Sequence, residues 1–435
     1  MNQGSVVNYV RALVALVTVT VLFGWCFAAV AQSTPMDPSS TTTVEPPGPP
    51  ASTPPPIAAA PDEAAAEVQD EEEEEPKIRW DPYGYIKLDA SVDSAAIDPG
   101  NFARWVANPA LETDHTHFNI TARQTRLGLW VLGPEEKSFQ VRGRVEIDFY
   151  GGGGGENRNG VMLRHAYVQV DWQNRDLRLI AGQTSDIISP LVPRTVNYTV
   201  AWWSGNIGYR RPLVSLTKNF KFGDGGSGLA LTGGVSRTIG DDFKPFEPGD
   251  AGSDSGLPTA QGRAAYTWTM GGRSGALGFS GHWGQEDIGP EMGLEDPEFD
   301  SWSTNLDVSI PLGGKATFKA EAFNGKNLDD YFGGVGQGIN LALDREVESV
   351  GGWASVEFDP TDKARFAGGV GIDDPEDADL ADGSRSLNRS VWGNFFYDFT
   401  DYLSTAWEVS YWATKYKGEE EGTAFRLQGA LIFSF

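Results

Sequence analysis

The sequence predicts an all-β protein, a 16-stranded antiparallel transmembrane β-barrel. Three observations carry this. Sixteen segments alternate apolar and polar residues with period two, at about the length that crosses a bilayer when tilted. The connections between them alternate between short and mostly long. Beyond the N-terminus no apolar run reaches the roughly 18 residues of a helical span, and the mean hydropathy is only −0.33. A barrel escapes hydropathy averages because lipid-facing and lumen-facing residues alternate.

Taken in order, the chain opens with a leader over 1–31. Arg11 precedes the apolar run ALVALVTVTVLFGWCFAAVA, which ends in the small residues of a secretory cleavage site. The single cysteine, Cys26, lies inside it. A mature protein without that leader has no disulfide, thiol chemistry or cysteine-ligated metal. Segment 32–79 is first rich in Pro, Ser, Thr and Ala, then acidic, with Glu71 to Glu75 in an unbroken row. It reads as a solvated, self-repelling spacer on the periplasmic side. The barrel is expected over 80–435.

The strands are expected over 83–91, 118–132, 138–150, 161–172, 176–184, 212–221, 227–238, 262–271, 275–284, 301–311, 315–324, 350–359, 363–373, 388–399, 403–416 and 423–435. Tight connections fall at 133–137, 173–175, 222–226, 272–274, 312–314, 360–362 and 400–402, and long ones between them, notably 185–211. A soluble sandwich has no reason to keep the turns short at one end only. A barrel with periplasmic turns and extracellular loops does. The final strand, TAFRLQGALIFSF, puts Phe425, Leu427, Leu431, Phe433 and Phe435 on one face and Arg426, Gln428 and Ser434 on the other. Ile432 breaks the polar face and Gly429 leaves a gap in the apolar one. This ending resembles the C-terminal strand of bacterial outer-membrane barrels. In them a terminal aromatic, here Phe435, is the signal read by the barrel-assembly machinery.

Charge narrows the functional classes. The net charge of −26 excludes a nucleic-acid partner, whose phosphates it would repel. Yet 119–218 holds thirteen Lys and Arg against eight acids, a local +5. On the third strand Arg142, Arg144, Glu146 and Asp148 alternate toward the lumen, with Arg126 on the strand before. Guanidinium groups facing water in a pore attract anions. The alternative is that these arginines pair with Glu146 and Asp148 and only stiffen the wall. Other constellations are weaker. His115-x-His117 lacks further ligands, and the acidic run around Asp373 to Asp382 reads as solvated loop charge. No nucleophile motif supports an enzyme, and no cofactor or metal is expected.

The pieces GYIKLD (84–89), TARQTRLG (121–128), EIDF (146–149), LRHAYV (163–168), AGQT (181–184), GN (205–206) and RRP (210–212) follow in order. Together they resemble the DcaP-like dicarboxylate-uptake porins of the Gram-negative outer membrane. That resemblance implies a homotrimer passing small anionic solutes, dicarboxylates among them, by passive diffusion. It also implies that 185–211 folds into the barrel and brings Arg194, Arg210 and Arg211 to the narrowest point. The competing reading keeps this loop outside as a cap, with Trp202 and Trp203 against a neighbouring subunit. A structural or adhesive barrel with a closed pore is the rival from another class, with an outer-membrane enzyme third.

Overall fold

A computed structural model describes residues 77–435 except 112–114, 135, 137, 152–155, 157–158, 224–225, 241–250 and 289–297. The expected leader and nearly all of the expected spacer lie outside the described residues.

Sixteen strands form one closed antiparallel barrel. They are β1 Arg79–Asp93, β2 in two halves (His117–Thr121 and Arg126–Leu132), β3 Gln140–Gly151, β4 Gly160–Trp172, β5 Leu177–Ser185 and β6 Arg210–Phe222. There follow β7 Ser227–Ser236, β8 Thr259–Met270, β9 Arg273–Asp287, β10 Glu298–Leu312 and β11 Ala316–Lys326. The last are β12 Glu348–Phe358, β13 Ala364–Pro375, β14 Arg385–Asp398, β15 Leu403–Tyr416 and β16 Gly422–Ser434. Each strand pairs with its sequence neighbour, and β1 closes on β16 with Tyr85 opposite Ser434 and Asp93 opposite Arg426. The backbones of Gly84 and Phe435 exchange two hydrogen bonds of 3.0 and 3.1 Å. The expected closure of the strand at Tyr83 beside the one at Phe435 is therefore met.

The faces follow the alternation. In β16, Phe425 and Phe433 point outward while Arg426, Gln428 and Ser434 are buried. The two anomalies of that strand have local causes. Ile432 packs with Val196, Ala406 and Ala430, so its apolar side chain meets a loop inside the lumen. The gap at Gly429 is covered by the Trp407 ring, which a Cβ there would approach to 2.8 Å. At the seam the buried Arg426 donates twice to Asp93, at 3.0 Å, and also to the Gly100 carbonyl. Register and charge thus agree where the barrel closes.

β2 departs from the continuous 118–132 strand the alternation predicts. Residues 122–125 turn out of the ladder, with the Thr125 N–H on the Ala122 carbonyl. The Thr125 hydroxyl accepts from the Lys87 N–H at 3.2 Å, so a side chain takes over a ladder bond.

Three loops on the long-connection side turn back over the lumen. In L1 (94–116), a hairpin of Ile97–Pro99 and Ala103–Val106 lies inside, where Val106 accepts from Tyr416 and donates to Thr414. L3 (186–209) crosses the barrel. L6 (327–347) packs on L3, with the Trp203 and Gly208 N–H groups on the Phe332 and Tyr331 carbonyls, each at 2.8 Å.

Candidate functional site

L3 leaves the wall at Asp186 and rejoins it at Arg210. Its two ends are stapled together. Asp186 accepts from the Tyr209 N–H at 2.8 Å and pairs with Arg211 at 2.8 Å. Arg211 lies 3.9 Å from the Tyr331 ring of L6. From there L3 is held by carboxylates of the far wall. Glu321 of β11 accepts the Leu191 N–H at 2.7 Å and the Trp353 indole at 3.0 Å. Glu408 of β15 accepts the N–H groups of Val196 and Asn197, at 2.7 and 3.3 Å. Lys87 of β1 donates to the Val196 carbonyl at 3.1 Å.

Glycines let the loop touch the far wall. A Cβ on Gly205 would sit 2.0 Å from the Gly352 carbonyl oxygen, and one on Gly371 2.0 Å from that of Ser204. Gly205 also has φ +107, a backbone that side-chain-bearing residues rarely adopt. Trp202 and Trp203 are buried among rings of their own chain, 4.9 and 4.3 Å from Phe332. The loop is inside the barrel, and the cap with these tryptophans against a neighbour is not the arrangement found.

The near wall carries the arginines. Inward positions of β3 bring Arg144 to Glu146 at 2.7 Å, and Arg126 of β2 stands 3.5 Å from the same carboxylate. Arg164 of β4 binds Glu146 and Asp148 at once, each at 2.7 Å. Tyr83 donates to Glu146 at 2.8 Å, and the L3 phenol Tyr198 to Asp148 at 3.2 Å. Burial pushes the Tyr198 phenol above its ordinary range, so it stays a neutral donor. Nearer the short turns, Asp171 takes Arg142 at 3.0 Å and Arg178 at 2.6 Å. Of the residues expected at the site, Arg126, Arg142, Arg144, Glu146 and Asp148 do share this wall. Arg194 is elsewhere, bound to Asp359 beside the short turn after β12 at 2.5 Å and to Glu357 at 3.4 Å. Phe435 stands on the outer face at the seam.

Arg164 is central yet escapes period-two reading. The β3–β4 register slips there: Glu146 faces His165 and Ile147 faces Leu163, so Arg164 is the extra residue of a bulge. A bulge turns two successive side chains to one face, and Arg164 and His165 are both buried. The signal was the consecutive polar pair inside an otherwise alternating strand.

A second group of arginines lies on aromatic rings instead of carboxylates. Arg123 is 5.0 Å from the Tyr150 ring, Arg385 is 4.1 Å from Trp105, and Arg210 is 4.5 and 5.5 Å from Tyr209 and Trp202. None of the three has a carboxylate partner among the described residues. Against L3 lies a cavity of about 310 Å³. Lys87, Arg126, Arg164, Arg178, Arg210 and Arg263 line it, and Asp186 is the one acid among its described lining residues. The acids that balance the paired cations sit behind them. An ion in this space therefore meets the cation first.

No protein-family model matches the sequence, and no curated protein matches it. Solved structures do match in shape. The outer membrane channel DcaP of Acinetobacter baumannii aligns with a TM-score of 0.67 and 18% identity, over 82% of this chain and 97% of that one. An anion-selective porin from Comamonas acidovorans gives 0.55 and 12%, over 82% and 100%. The trimer form of OmpT, an outer membrane protein of Vibrio cholerae, gives 0.50 and 11%, over 82% and 99%. At such identities the likeness shows the fold alone.

Proposed function

We propose that the chain is an outer-membrane porin through which small hydrophilic solutes diffuse passively, with a bias to anions. One observation carries this reading: a closed barrel whose third loop is drawn across the lumen beside a cavity lined by six cations and one acid. Fixed cations along a narrow water path lower the barrier for an anion and raise it for a cation. Carboxylates, dicarboxylates among them, are the solutes that the sequence resemblance implies. The short turns and the segment 32–79 then face the periplasm of a Gram-negative cell after removal of 1–31. The outward apolar band faces lipid, and the assembly is a homotrimer like the OmpT form above.

The test is the reversal potential of the purified protein in a planar bilayer across a potassium chloride gradient. Anion preference is expected, and cation preference sinks the reading. A closed structural or adhesive barrel is favoured by L1 and L6 packing against L3. It predicts no conductance in the same recording. Assembly has its own test, because Phe435 is assigned the docking role. Phe435→Asp should leave the protein secreted but without heat-modifiable barrel, and normal amounts of folded barrel would remove that role.

A further inference from the structure

We infer that the acidic segment 62–75 docks on a basic patch at the short-turn ends of β4, β5 and β6, on one side of the barrel mouth. The docking does not rest on the porin reading; only its effect on ion passage does.

The turn from β4 to β5 carries Arg175, which is exposed, and Asp176. The end of β6 lies beside it, with Lys218 opposite Leu177. Lys218 donates to the Arg175 carbonyl, and Lys221, whose side chain is 75% exposed, pairs with Asp176 at 2.6 Å. Nearby, Arg142 and Arg178 share the single carboxylate of Asp171. Five cations therefore stand against two aspartates, and five minus two leaves +3. Arg175 meets no carboxylate among the described residues. An ammonium spent on a carbonyl and a carboxylate divided between two guanidiniums leave positive charge for an outside anion.

The occupant follows from the chain itself. Segment 62–75 lies outside the described residues, but its sequence holds nine acids and no Lys or Arg. It joins the barrel at the same end as the patch. Arg79 opens β1 and pairs with Leu132, the last residue of β2 before a short turn. From β1 to β5 is four strand spacings, about 20 Å along the rim. A segment of this length reaches up to about 45 Å when extended. Tethering holds it at an effective concentration on the order of millimolar, so a weak Coulomb attraction is enough.

Reach alone would allow another place. Lys363, exposed in the turn after β12, is also four strands from β1, in the other direction. There the cations are answered: Asp398 takes Arg365, Asp359 takes Arg194, and Asp362 adjoins Lys363. Between β1 and the patch, Lys77 and Arg79 are matched in number by Asp81 and Glu136. The patch is thus where a tethered run of carboxylates meets net positive charge.

The experiment is zero-length cross-linking of carboxylates to lysines by a water-soluble carbodiimide, on the purified barrel in detergent with its N-terminal segment intact. Peptide mass spectrometry should join 62–75 to Lys218 or Lys221, in a product that runs as a monomer. Raising sodium chloride from about 20 mM to about 1 M shortens the screening length to about 3 Å and should cut that yield several-fold. Lys363 should be joined several-fold less often at low salt. Arg175→Glu keeps both lysines and should lower their yield. Equal yields at Lys363, a yield indifferent to salt, or cross-linked dimers in place of monomers overturn the proposal. The salt and Lys363 comparisons decide even if Arg175→Glu does not fold. Under the porin reading, deletion of 32–75 should also raise anion preference at low salt. Cation preference or no conductance in wild type ends that reading, while the cross-links still report on the docking.

Discussion

The two walls that face L3 carry ionisable side chains of opposite kind and use them differently. On the far wall, Glu321 and Glu408 are buried and spend their oxygens on backbone N–H groups of the loop. On the near wall, arginines meet carboxylates of their own wall, or aromatic rings. A buried carboxyl group that accepts two or three N–H bonds has its oxygens satisfied without an arginine. Glu321 and Glu408 are therefore consumed in holding the loop and take no arginine from the near wall. A sum of charges says little about a pore; what matters is which charges are already occupied.

Breaking the far wall should have the largest effect. Glu408→Ala leaves the Val196 and Asn197 N–H groups without their acceptor. Each orphaned buried group costs about 1–3 kcal/mol. L3 should loosen between 195 and 200, with new protease cleavage there and a higher single-channel conductance. An unchanged cleavage pattern and unchanged conductance would show that Glu408 does not hold the loop.

A steric change on the same wall should act next most strongly. Gly371→Leu drives a side chain into the Ser204 carbonyl. Overpacking of this kind costs about 1–3 kcal/mol. The barrel should melt earlier and show altered conductance, whereas Gly393→Leu, where a Cβ meets open space, should do neither.

The near wall should respond less. In the double variant Arg142→Ser, Arg144→Ser, Arg126 and Arg164 still answer Glu146, and Arg178 still answers Asp171. Anion preference should fall by less than in Arg210→Gln, as read from reversal potentials. A larger fall in the double variant would reverse the ranking of paired over stacked arginines. The smallest effect belongs outside both walls. Arg389→Ala removes a half-exposed pair with Glu421, worth about 0–1 kcal/mol, and the melting curve should barely move.

Much of this was legible in the chain. Alternation set the sixteen strands and their faces, down to Phe425 outside and Arg426 inside, because side-chain direction repeats every two residues whatever the partner. The short–long rhythm set which end carries tight turns. The length and apolar character of 185–211 marked it as more than a turn. Tertiary structure decided the rest. The bulge at Arg164 and the break at 122–125 are events of pairing between strands, invisible to the period of one strand. Arg194, Arg210 and Arg211 are equivalent in sequence, yet one reaches Asp359, one lies on aromatic rings and one is stapled to Asp186. Pairing is settled by register around the barrel and by where L3 lands, both set by contacts between residues far apart in the chain. A charge is local, but its neutralisation is not.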